Sequence, residues 1–294
     1  MPEWQGKSKG NKLGYQIFVS VYRNLGIRAT YFLLLFVALY FFLFSWKSTG
    51  HSYRYFRLRQ QYPVLKSIFH VYKNYYVFGQ TLIDKIVVLA GISNPFTFEA
   101  DGIENLQEMT ALNRGGILLS GHAGNWEIAS HMLKDLNTKI NVVMFDGEQR
   151  QIKDYLDEVS GDRSFKIIVI REDLSHVYEI GEALQKNELV CLHADRFVKD
   201  IKTTEKMFLG APAKFPSGPF AIAAAFRAPV SFVYAFKENT VHYHLYSSPI
   251  IRYSELPGKR EYTESLVNAF VGSFEKMIMK YPDQWFNYYN FWES

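Results

Sequence analysis

Short apolar runs alternate with helix-like segments from residue 116 onward, and this alternation constrains the fold more than any other feature of the chain. Each run has the length of a buried strand, whereas the segments between them show the helical spacing of apolar residues. The predicted strands are Ile117–Ser120, Asn141–Phe145, Lys166–Ile170 and Leu189–His193, and the predicted helices are Ile128–Leu136, Gln149–Val159 and Leu174–Gln185. This order predicts an α/β fold with a mostly parallel central sheet flanked by helices.

The elements on either side of this region are predicted from the same patterns. Helical spacing extends from Pro63 to Ala90, and strands at Val230–Phe236 and Val241–Ser247 are predicted to pair across a Glu238-Asn239 turn. Further elements are a strand at Phe96–Glu99 and helices at Ile103–Leu112, Pro219–Phe226 and Glu261–Lys280. No linker separates these elements, so we expect one domain over residues 49–294.

A histidine and an acid lie in the turn that follows the first strand of the alternating region. The turn is Gly121-His122-Ala123-Gly124-Asn125-Trp126-Glu127, and it leads into a predicted helix. Glycines allow a sharp turn and the close approach of a ligand, and the first turn of a helix offers unpaired N–H groups. The pattern therefore predicts a base, an orienting carboxylate and backbone donors for an anion in one place.

A histidine with its ordinary pKa of about 6.5 can accept a proton at neutral pH. A carboxylate bonded to the other ring nitrogen fixes the tautomer and stabilises the imidazolium that forms. On this interpretation His122 is the general base, Glu127 is its partner, and a substrate hydroxyl group is the nucleophile. The spacing alone leaves a purely structural histidine–carboxylate pair as an equal alternative.

The turn resembles the His-x4-Asp/Glu block of membrane glycerolipid acyltransferases, and in particular the lipid A biosynthesis (lauroyl/myristoyl) acyltransferase family of bacteria. Further matches follow in the order expected for that family. They are Asp195-Arg196, then Phe208-Leu209-Gly210-Ala211-Pro212-Ala213 with Pro216-Ser217-Gly218-Pro219, then Tyr281-Pro282-Asp283-Gln284-Trp285. The similarity extends from about the first apolar helix to the C-terminus.

The resemblance implies transfer of a fatty acyl chain from a thioester, acyl-ACP more than acyl-CoA, to a hydroxyl group of a lipid. The expected partners are therefore the acyl carrier protein, a lipid acceptor and the membrane bilayer, and no cofactor is expected beyond the donor. The expected catalytic residues are His122 and Glu127. The expected substrate-binding residues are Gly121, Gly124, Asn125, Asp195, Arg196 and Lys214. Backbone donors of the turn, together with Arg196, are expected to stabilise the oxyanion.

The C-terminal segment departs from the family pattern. After Gln284-Trp285 the family usually continues towards a histidine and a basic Arg-Trp-Lys-like ending, whereas Phe286–Trp292 is aromatic. Lipid A precursor is the default acceptor, and an aminolipid, a glycolipid or another hydroxylated bacterial lipid stays open. Two other classes also stay open: a thioesterase with water as acceptor, and a non-catalytic lipid-binding protein on the same fold.

An uncharged run of 18 residues, Ala29–Trp46, predicts contact with a membrane. As a helix it is about 27 Å long, close to the thickness of the hydrocarbon core of a bilayer. Spanning the bilayer and lying in one leaflet are both left open. We expect residues 1–48 to form a tail and a membrane-anchoring helix, and residues 49–294 to form the acyltransferase domain. The resemblance implies the cytoplasmic face of the bacterial inner membrane.

Composition and missing motifs argue against several other classes of protein. The net charge of +4 is too small to indicate nucleic-acid binding. The sequence has neither a Walker phosphate loop nor a Gly-x-Ser-x-Gly nucleophile elbow, which argues against an ATP-driven enzyme and an ordinary serine hydrolase. His242 and His244 share one face of a predicted strand, a spacing that can bind zinc, but no third ligand is evident nearby, so no metal is predicted.

Overall fold

The structure is a computed structural model, and it describes residues 12–126, 128, 136, 138–145, 165–171, 173–197, 201–253 and 258–292. The helices of these residues are α1 (Lys12–Phe44), α2 (Trp46–Arg54), α3 (Val64–Leu89), α4 (Ile103–Ala111), α5 (Ser175–Gln185), α6 (Gly218–Phe226) and α7 (Lys259–Lys280). The strands are β1 (Thr97–Asp101), β2 (Gly116–Ser120), β3 (Ile140–Phe145), β4 (Lys166–Ile170), β5 (Leu189–His193), β6 (Thr203–Phe208), β7 (Ala211–Pro216), β8 (Val230–Lys237) and β9 (His242–Ser247). A π-helical turn covers Tyr55–Arg59, and a 3₁₀ turn covers Pro282–Gln284.

Among the described strands, seven form one sheet in the order β1-β9-β8-β2-β5-β3-β4. Neighbouring strands in it are parallel, except that β8 and β9 are antiparallel. The predicted α/β fold with a mostly parallel sheet is therefore confirmed, together with the four strands predicted for the alternating region. The predicted helix Ile128–Leu136 lies mostly outside the described residues, and Gln149–Val159 lies entirely outside them.

Strands β6 and β7 form a hairpin that includes the family block beginning at Phe208, where the sequence predicted no strand. The glycine and proline content of this segment conceals its strands, because these residues usually mark loops. Leu209 and Gly210, between the two strands, both have positive φ angles, as a two-residue hairpin turn requires. Buried and exposed residues alternate over the first five residues of β7, and the prolines are tolerated because this sheet has only two strands, each of them an edge.

Helix α1 carries most of the apolar N-terminal segment, and it is kinked at Gly26, where φ is +77°. It is the one helix of the described residues that is long and apolar enough to cross a membrane, and only 22% of its most apolar window is buried. Its exposed face bears the aromatic side chains of Phe32, Phe36, Tyr40 and Phe44, spaced by four residues. The boundary predicted near residue 48 falls within α2, and the division of the chain into residues 1–48 and 49–294 stays a prediction.

The opposite face of α1 packs closely on α3. The side chain of Leu34 occupies the place that a side chain at Gly79 would need, because a Cβ there would lie 2.4 Å from Leu34 Cδ1. One hydroxyl of α1 also reaches the interior, where Tyr31 donates a hydrogen bond of 2.5 Å to Asp84. The inner face of the predicted membrane helix is therefore part of the folded core.

Asp84 is the centre of a buried polar cluster that joins α1, α3, β8 and β9. Its carboxylate forms an ion pair with Lys237 and accepts a hydrogen bond of 2.5 Å from the hydroxyl of Tyr243. Lys237 also donates to the hydroxyl of Tyr31, at 2.7 Å. Burial raises the pKa of Asp84 and lowers the pKa of Lys237, and the attraction between the two groups opposes both shifts.

Replacing Asp84 by alanine is expected to lower the free energy of unfolding by about 3–5 kcal/mol, because Lys237 then remains buried without its counter-ion. Urea denaturation of the purified protein in detergent measures this loss. Glu182→Ala, whose side chain is 69% exposed, is the matched control and should change stability by less than about 0.5 kcal/mol. A double variant with methionine at both positions should recover much of the loss. A loss below about 1 kcal/mol for Asp84→Ala would contradict a buried ion pair at this position.

Candidate active site

The turn after β2 places His122 at the carboxyl edge of the sheet. Strands β2 and β5 are parallel neighbours, with Ser120 opposite His193, so the residues that follow the two strands lie close together. Ligands of open α/β sheets bind at this edge. The topology therefore brings the turn with His122 next to the segment that contains Asp195.

Two glycines allow the turn to pack as tightly as it does. A Cβ at Gly121 would lie 2.5 Å from the ring of Phe274, and a Cβ at Gly124 would lie 2.0 Å from the carbonyl oxygen of Ala235. Gly124 also has a φ angle of +69°, which side chains disfavour. Both glycines, predicted to contact substrate, are therefore required by the packing of the turn itself.

Asp195 is hydrogen-bonded to His122 by two routes. Its Oδ1 atom lies 2.7 Å from Nδ1 of the imidazole and accepts the backbone N–H of His122 at 3.0 Å. The indole N–H of Trp285 donates to Oδ2 at 3.4 Å, and Asp195 is completely buried. Because Nδ1–H of a neutral ring is then donated to the carboxylate, the lone pair lies on Nε2, as a general base requires.

The carboxyl group of Asp195 is ionised in the folded protein. Burial by itself raises its pKa, but the charge and hydrogen bond of His122, followed by the charges of Arg196 and His193, outweigh burial and hold the pKa below its usual range. Since the unfolded value is about 3.9, the ionised group stabilises the fold at neutral pH. That contribution is lost as the pH falls from about 4 towards the lower folded pKa.

The C-terminal part of the chain braces the turn. The N–H group of Gly124 donates to the carbonyl oxygen of Gln284 at 2.8 Å, and Ala123 forms an antiparallel bridge with Trp285. The side-chain amide of Gln284 bonds both backbone groups of Lys237, at 2.9 and 2.8 Å. The position of the histidine turn therefore depends on β8 and on the residues after α7.

An apolar recess opens beside His193, whose ring centroid lies 4.2 Å from that of His122. The recess is lined by Ser120, Trp126, Val142, Val143, Cys191, Leu192, His193, Val233, Tyr234 and Ala235. Burial raises the pKa of the Cys191 thiol to about 12, so this thiol is not a nucleophile at neutral pH. The recess is thus a small apolar hollow lined in part by His193, the ring next to His122.

The backbone N–H groups of the turn donate within the protein. Their acceptors are the Asp195 carboxylate for His122, and the carbonyl oxygens of Gly121, Gln284 and Ala235 for Ala123, Gly124 and Asn125. An oxyanion at this turn would therefore have to replace one of these bonds or use another donor. The open backbone pocket that the sequence predicted is not formed at residues 122–125.

Arg196 and Asn125 are held by contacts with the protein itself. The guanidinium of Arg196 donates to the carbonyl oxygen of Phe286 at 2.6 Å. Asn125 is only 1% exposed, and its amide donates to the carbonyl oxygen of Thr81 at 3.0 Å. These contacts position the backbone around the site, and the substrate contacts expected of both residues stay predictions.

Two predicted site residues have no contact with His122 that the described residues show or test. Lys214 lies on the exposed face of β7, opposite Glu205 in the hairpin. Glu127, the expected partner of His122, lies outside the described residues, so its role stays a prediction. The carboxylate that the structure places at Nδ1 of His122 is Asp195.

Three contacts of this site were not predicted from the sequence: Asp195 with the imidazole, Trp285 with Asp195, and His193 against the ring of His122. Asp195-Arg196 and the segment that ends at Trp285 both matched family blocks, so their presence near the site was indicated, but their partners were not. His193 stood out only as the last residue of a predicted strand.

This site suits an enzyme that activates a hydroxyl group or water next to an apolar ligand. A sequence model of the bacterial lipid A biosynthesis acyltransferases matches residues 71–294. The chain belongs to this family, as its motifs indicated, and it is an O-acyltransferase that acts on lipid substrates.

One solved structure similar to this chain is the crystal structure of the 1-acyl-sn-glycerophosphate (LPA) acyltransferase PlsC from Thermotoga maritima. The two share 13% sequence identity over 83% of this chain and 95% of that chain, with a TM-score of 0.37. This likeness is too distant to inform on the fold or the activity of the chain. A comparison with curated proteins finds no match.

Proposed function

We propose that the protein transfers a fatty acyl chain from acyl-ACP to a hydroxyl group of a bacterial lipid, with His122 as the general base. The observation that carries this proposal is the 2.7 Å contact between Nδ1 of His122 and buried Asp195, which leaves the basic lone pair on Nε2. Family membership supports an acyl donor and a lipid acceptor. The choice of acyl-ACP over acyl-CoA rests on the resemblance of the motifs.

In the proposed reaction the acceptor binds with its hydroxyl proton directed at Nε2 of His122. The imidazole takes this proton while the hydroxyl oxygen attacks the carbonyl carbon of the thioester, and Asp195 stabilises the imidazolium. The tetrahedral intermediate then collapses and the C–S bond breaks. The imidazolium returns its proton to the departing thiolate, so the products are a lipid ester and the free thiol of the carrier.

The proposed donor to the developing oxyanion is Arg196. Its positive charge is close enough to Asp195 to lower the pKa of that carboxyl group. Its guanidinium donates a hydrogen bond of 2.6 Å to the carbonyl oxygen of Phe286. A guanidinium has five N–H donors, so it can hold a carbonyl oxygen of the protein and stabilise negative charge on the substrate as well.

The proposed site of the acyl chain is the apolar recess beside His193. Its walls include Val142, Val143, Leu192 and Val233, and it lies at the carboxyl edge of the sheet with the histidine turn. Each buried methylene group contributes about 0.8 kcal/mol to binding. The recess is small in this structure, so it would have to widen to admit a fatty acyl chain.

Membrane attachment is part of the proposal, with residues 1–48 as the anchor and residues 49–294 as the catalytic domain. The apolar helix α1 suggests membrane association, and Leu65 and Phe69 at the start of α3 add exposed apolar surface. Arg57 and neighbouring arginines suit anionic headgroups, each contributing about 1 kcal/mol near the surface. The cytoplasmic face of the bacterial inner membrane is the location that the resemblance implies.

The test incubates the purified protein in detergent with radiolabelled acyl-ACP and a total lipid extract from the source organism. Separate arms replace acyl-ACP by acyl-CoA and omit the lipid extract. We expect label in one lipid band, dependence on the extract, and a faster reaction with acyl-ACP. The mass of the labelled band identifies the acceptor.

Each of the other outcomes would contradict a different part of the proposed function. Release of free fatty acid at the same rate with and without lipid would show a thioesterase and overturn the proposal. Faster labelling with acyl-CoA would overturn the choice of donor alone. No product with either donor, from protein that still binds lipid, would favour a non-catalytic lipid-binding protein.

A further inference from the structure

The outer face of β1 and β9 gathers metal-ligating side chains that the acyl-transfer site does not use. The two strands are parallel, with Thr97 opposite His242 and Glu99 opposite His244. Side chains two residues apart lie on the same face of a strand, so Glu99 and Asp101 join the two histidines on one face. The third ligand that the sequence did not reveal is therefore supplied by the neighbouring strand.

We propose that this face binds one divalent transition-metal ion, of the zinc type, through His244, Glu99 and Asp101. One ligand atom from each of the three residues lies within 4.8 Å of the other two. Nε2 of His244 is 3.1 Å from Oδ2 of Asp101. Ligand atoms about 2.1 Å from a tetrahedral zinc ion lie about 3.4 Å from one another, so these atoms need to move little to enclose an ion.

The state of Nε2 of His244 is a second indication of a ligand. The side chain is 12% exposed, and Nε2 is enclosed and has no hydrogen-bond partner among the described residues, although Asp101 is close. Nε2 thus lies 3.1 Å from the carboxylate of Asp101 without a hydrogen bond to it, and a cation held by both groups explains this arrangement.

The surroundings of His244 match those of a metal-bound histidine. Its other nitrogen, Nδ1, faces Oε1 of Glu238 at 3.3 Å. Glu238 in turn accepts a hydrogen bond of 2.7 Å from the hydroxyl of Tyr281. Histidines that bind metals usually donate their second N–H to a carboxylate that is itself hydrogen-bonded, because this contact fixes the tautomer and the ring orientation.

The remaining charged groups nearby determine the number of ligands and the charge balance of the site. Nε2 of His242 lies 3.6 Å from Glu99 and acts as an outer partner of that carboxylate, which leaves one position on the ion for water. Lys280 donates to the hydroxyl of Tyr246 and balances part of the negative charge. A borderline ion with one imidazole ligand is favoured over Mg²⁺, which prefers oxygen ligands only.

The ion would join the edge strand β1 to β9 and, through Glu238, to Tyr281. Tyr281 directly precedes the 3₁₀ turn that contains Gln284, and Glu238 directly follows Lys237, which Gln284 bonds. The inferred role is therefore structural. The ion would stabilise β1 and β9, and through Glu238 and Tyr281 it would support the segment with Gln284 that holds the histidine turn. Strand β1 lies three strands away from β2 in the sheet.

The test uses the full-length protein in detergent, freed of metal with a chelator, and measures binding of Zn²⁺ and Mg²⁺ by equilibrium dialysis. Co²⁺ serves as a spectroscopic probe of tetrahedral nitrogen and oxygen ligation. We expect one Zn²⁺ per chain, much weaker binding of Mg²⁺, and a melting temperature raised by zinc. Asp101→Asn and His244→Gln should each weaken zinc binding by at least about 10-fold.

Asp101→Asn is the variant that separates binding from folding, because the side chain of Asp101 is 65% exposed, whereas that of His244 is 12% exposed. His51→Gln and Asp173→Asn are the matched controls and should bind zinc as the wild type does. Zinc binding that is unchanged in Asp101→Asn and His244→Gln, the absence of binding at about 100 μM Zn²⁺, or equal affinity for Mg²⁺ would each overturn the proposal. In those cases the cluster is a set of ordinary ion pairs.

Discussion

Replacing His122 by alanine is expected to lower kcat of acyl transfer by about 10²–10⁴-fold, the range that general base catalysis by a positioned side chain supplies. The variant keeps the apolar recess and the frame around the turn, so binding of the donor should change little. A kcat loss with a nearly constant KM for acyl-ACP is therefore the expected pattern. Steady-state kinetics with labelled acyl-ACP and the identified acceptor measure both constants.

The control for this experiment is His51→Ala, a histidine of α2 that lies outside the site and should leave kcat within about two-fold of the wild type. Circular dichroism and the urea midpoint show whether each variant is folded. Transfer by folded His122→Ala at more than about a tenth of the wild-type rate would contradict its role as the base.

Asp195→Asn is expected to lower kcat by a similar factor, about 10²–10⁴-fold, although the side chain keeps its size. If the amide oxygen of asparagine faces His122, it accepts the same two hydrogen bonds but carries no charge to stabilise the imidazolium. If the amide nitrogen faces Nδ1 instead, the imidazole carries its proton on Nε2 and cannot accept one from the substrate. Because the wild-type pKa of Asp195 is held below its usual range, the wild-type rate should not fall through protonation of this group above about pH 5.

Comparison with Glu127→Gln identifies the orienting carboxylate. If Asp195 orients the base, Asp195→Asn shows the large loss in kcat. A loss of less than about five-fold in Asp195→Asn, with the full loss in Glu127→Gln, would show that Glu127 is the partner of His122. Equal losses in both, with no further loss in the double variant, would show that the two carboxylates act on one imidazole as a unit.

The central strands could be predicted because their signal is local. Runs such as Lys166–Ile170 are apolar over a strand's length and are bounded by polar residues, and the structure has a strand at those residues. The hairpin that contains Pro212 could not be read in this way, since glycine and proline usually mark loops. Its alternation of buried and exposed residues becomes visible only once the strand is known.

The contact of Asp195 with His122 could not be predicted because it depends on strand order. Asp195 lies 73 residues further along the chain, and it reaches the imidazole because β5 pairs with β2. Sequence spacing instead favoured Glu127, the nearer acid. The same limit applies to Glu99 and His244, which are brought together by the pairing of β1 with β9.

The N-terminal helix shows a third limit of sequence patterns. Hydropathy identified the apolar run correctly, but it could not show that one face of the helix belongs to the core. Tyr31 has one of the few hydroxyl groups in that run, and its partner Asp84 is the one acidic residue of α3. Hydropathy averaged over a window cannot show that these two side chains form a hydrogen bond.

The contacts of Lys237 join the N-terminal helix to the turn that carries His122. Its ammonium group bonds Asp84 and Tyr31, whereas its backbone bonds Gln284, which holds the histidine turn. From Tyr31 to the end of α1 the helix rises about 20 Å, so the aromatic stripe extends that far from the same residue. With α1 on a bilayer, as proposed, this geometry would keep the site at one height, and an acceptor lipid that diffuses within the leaflet would search for it in two dimensions instead of three.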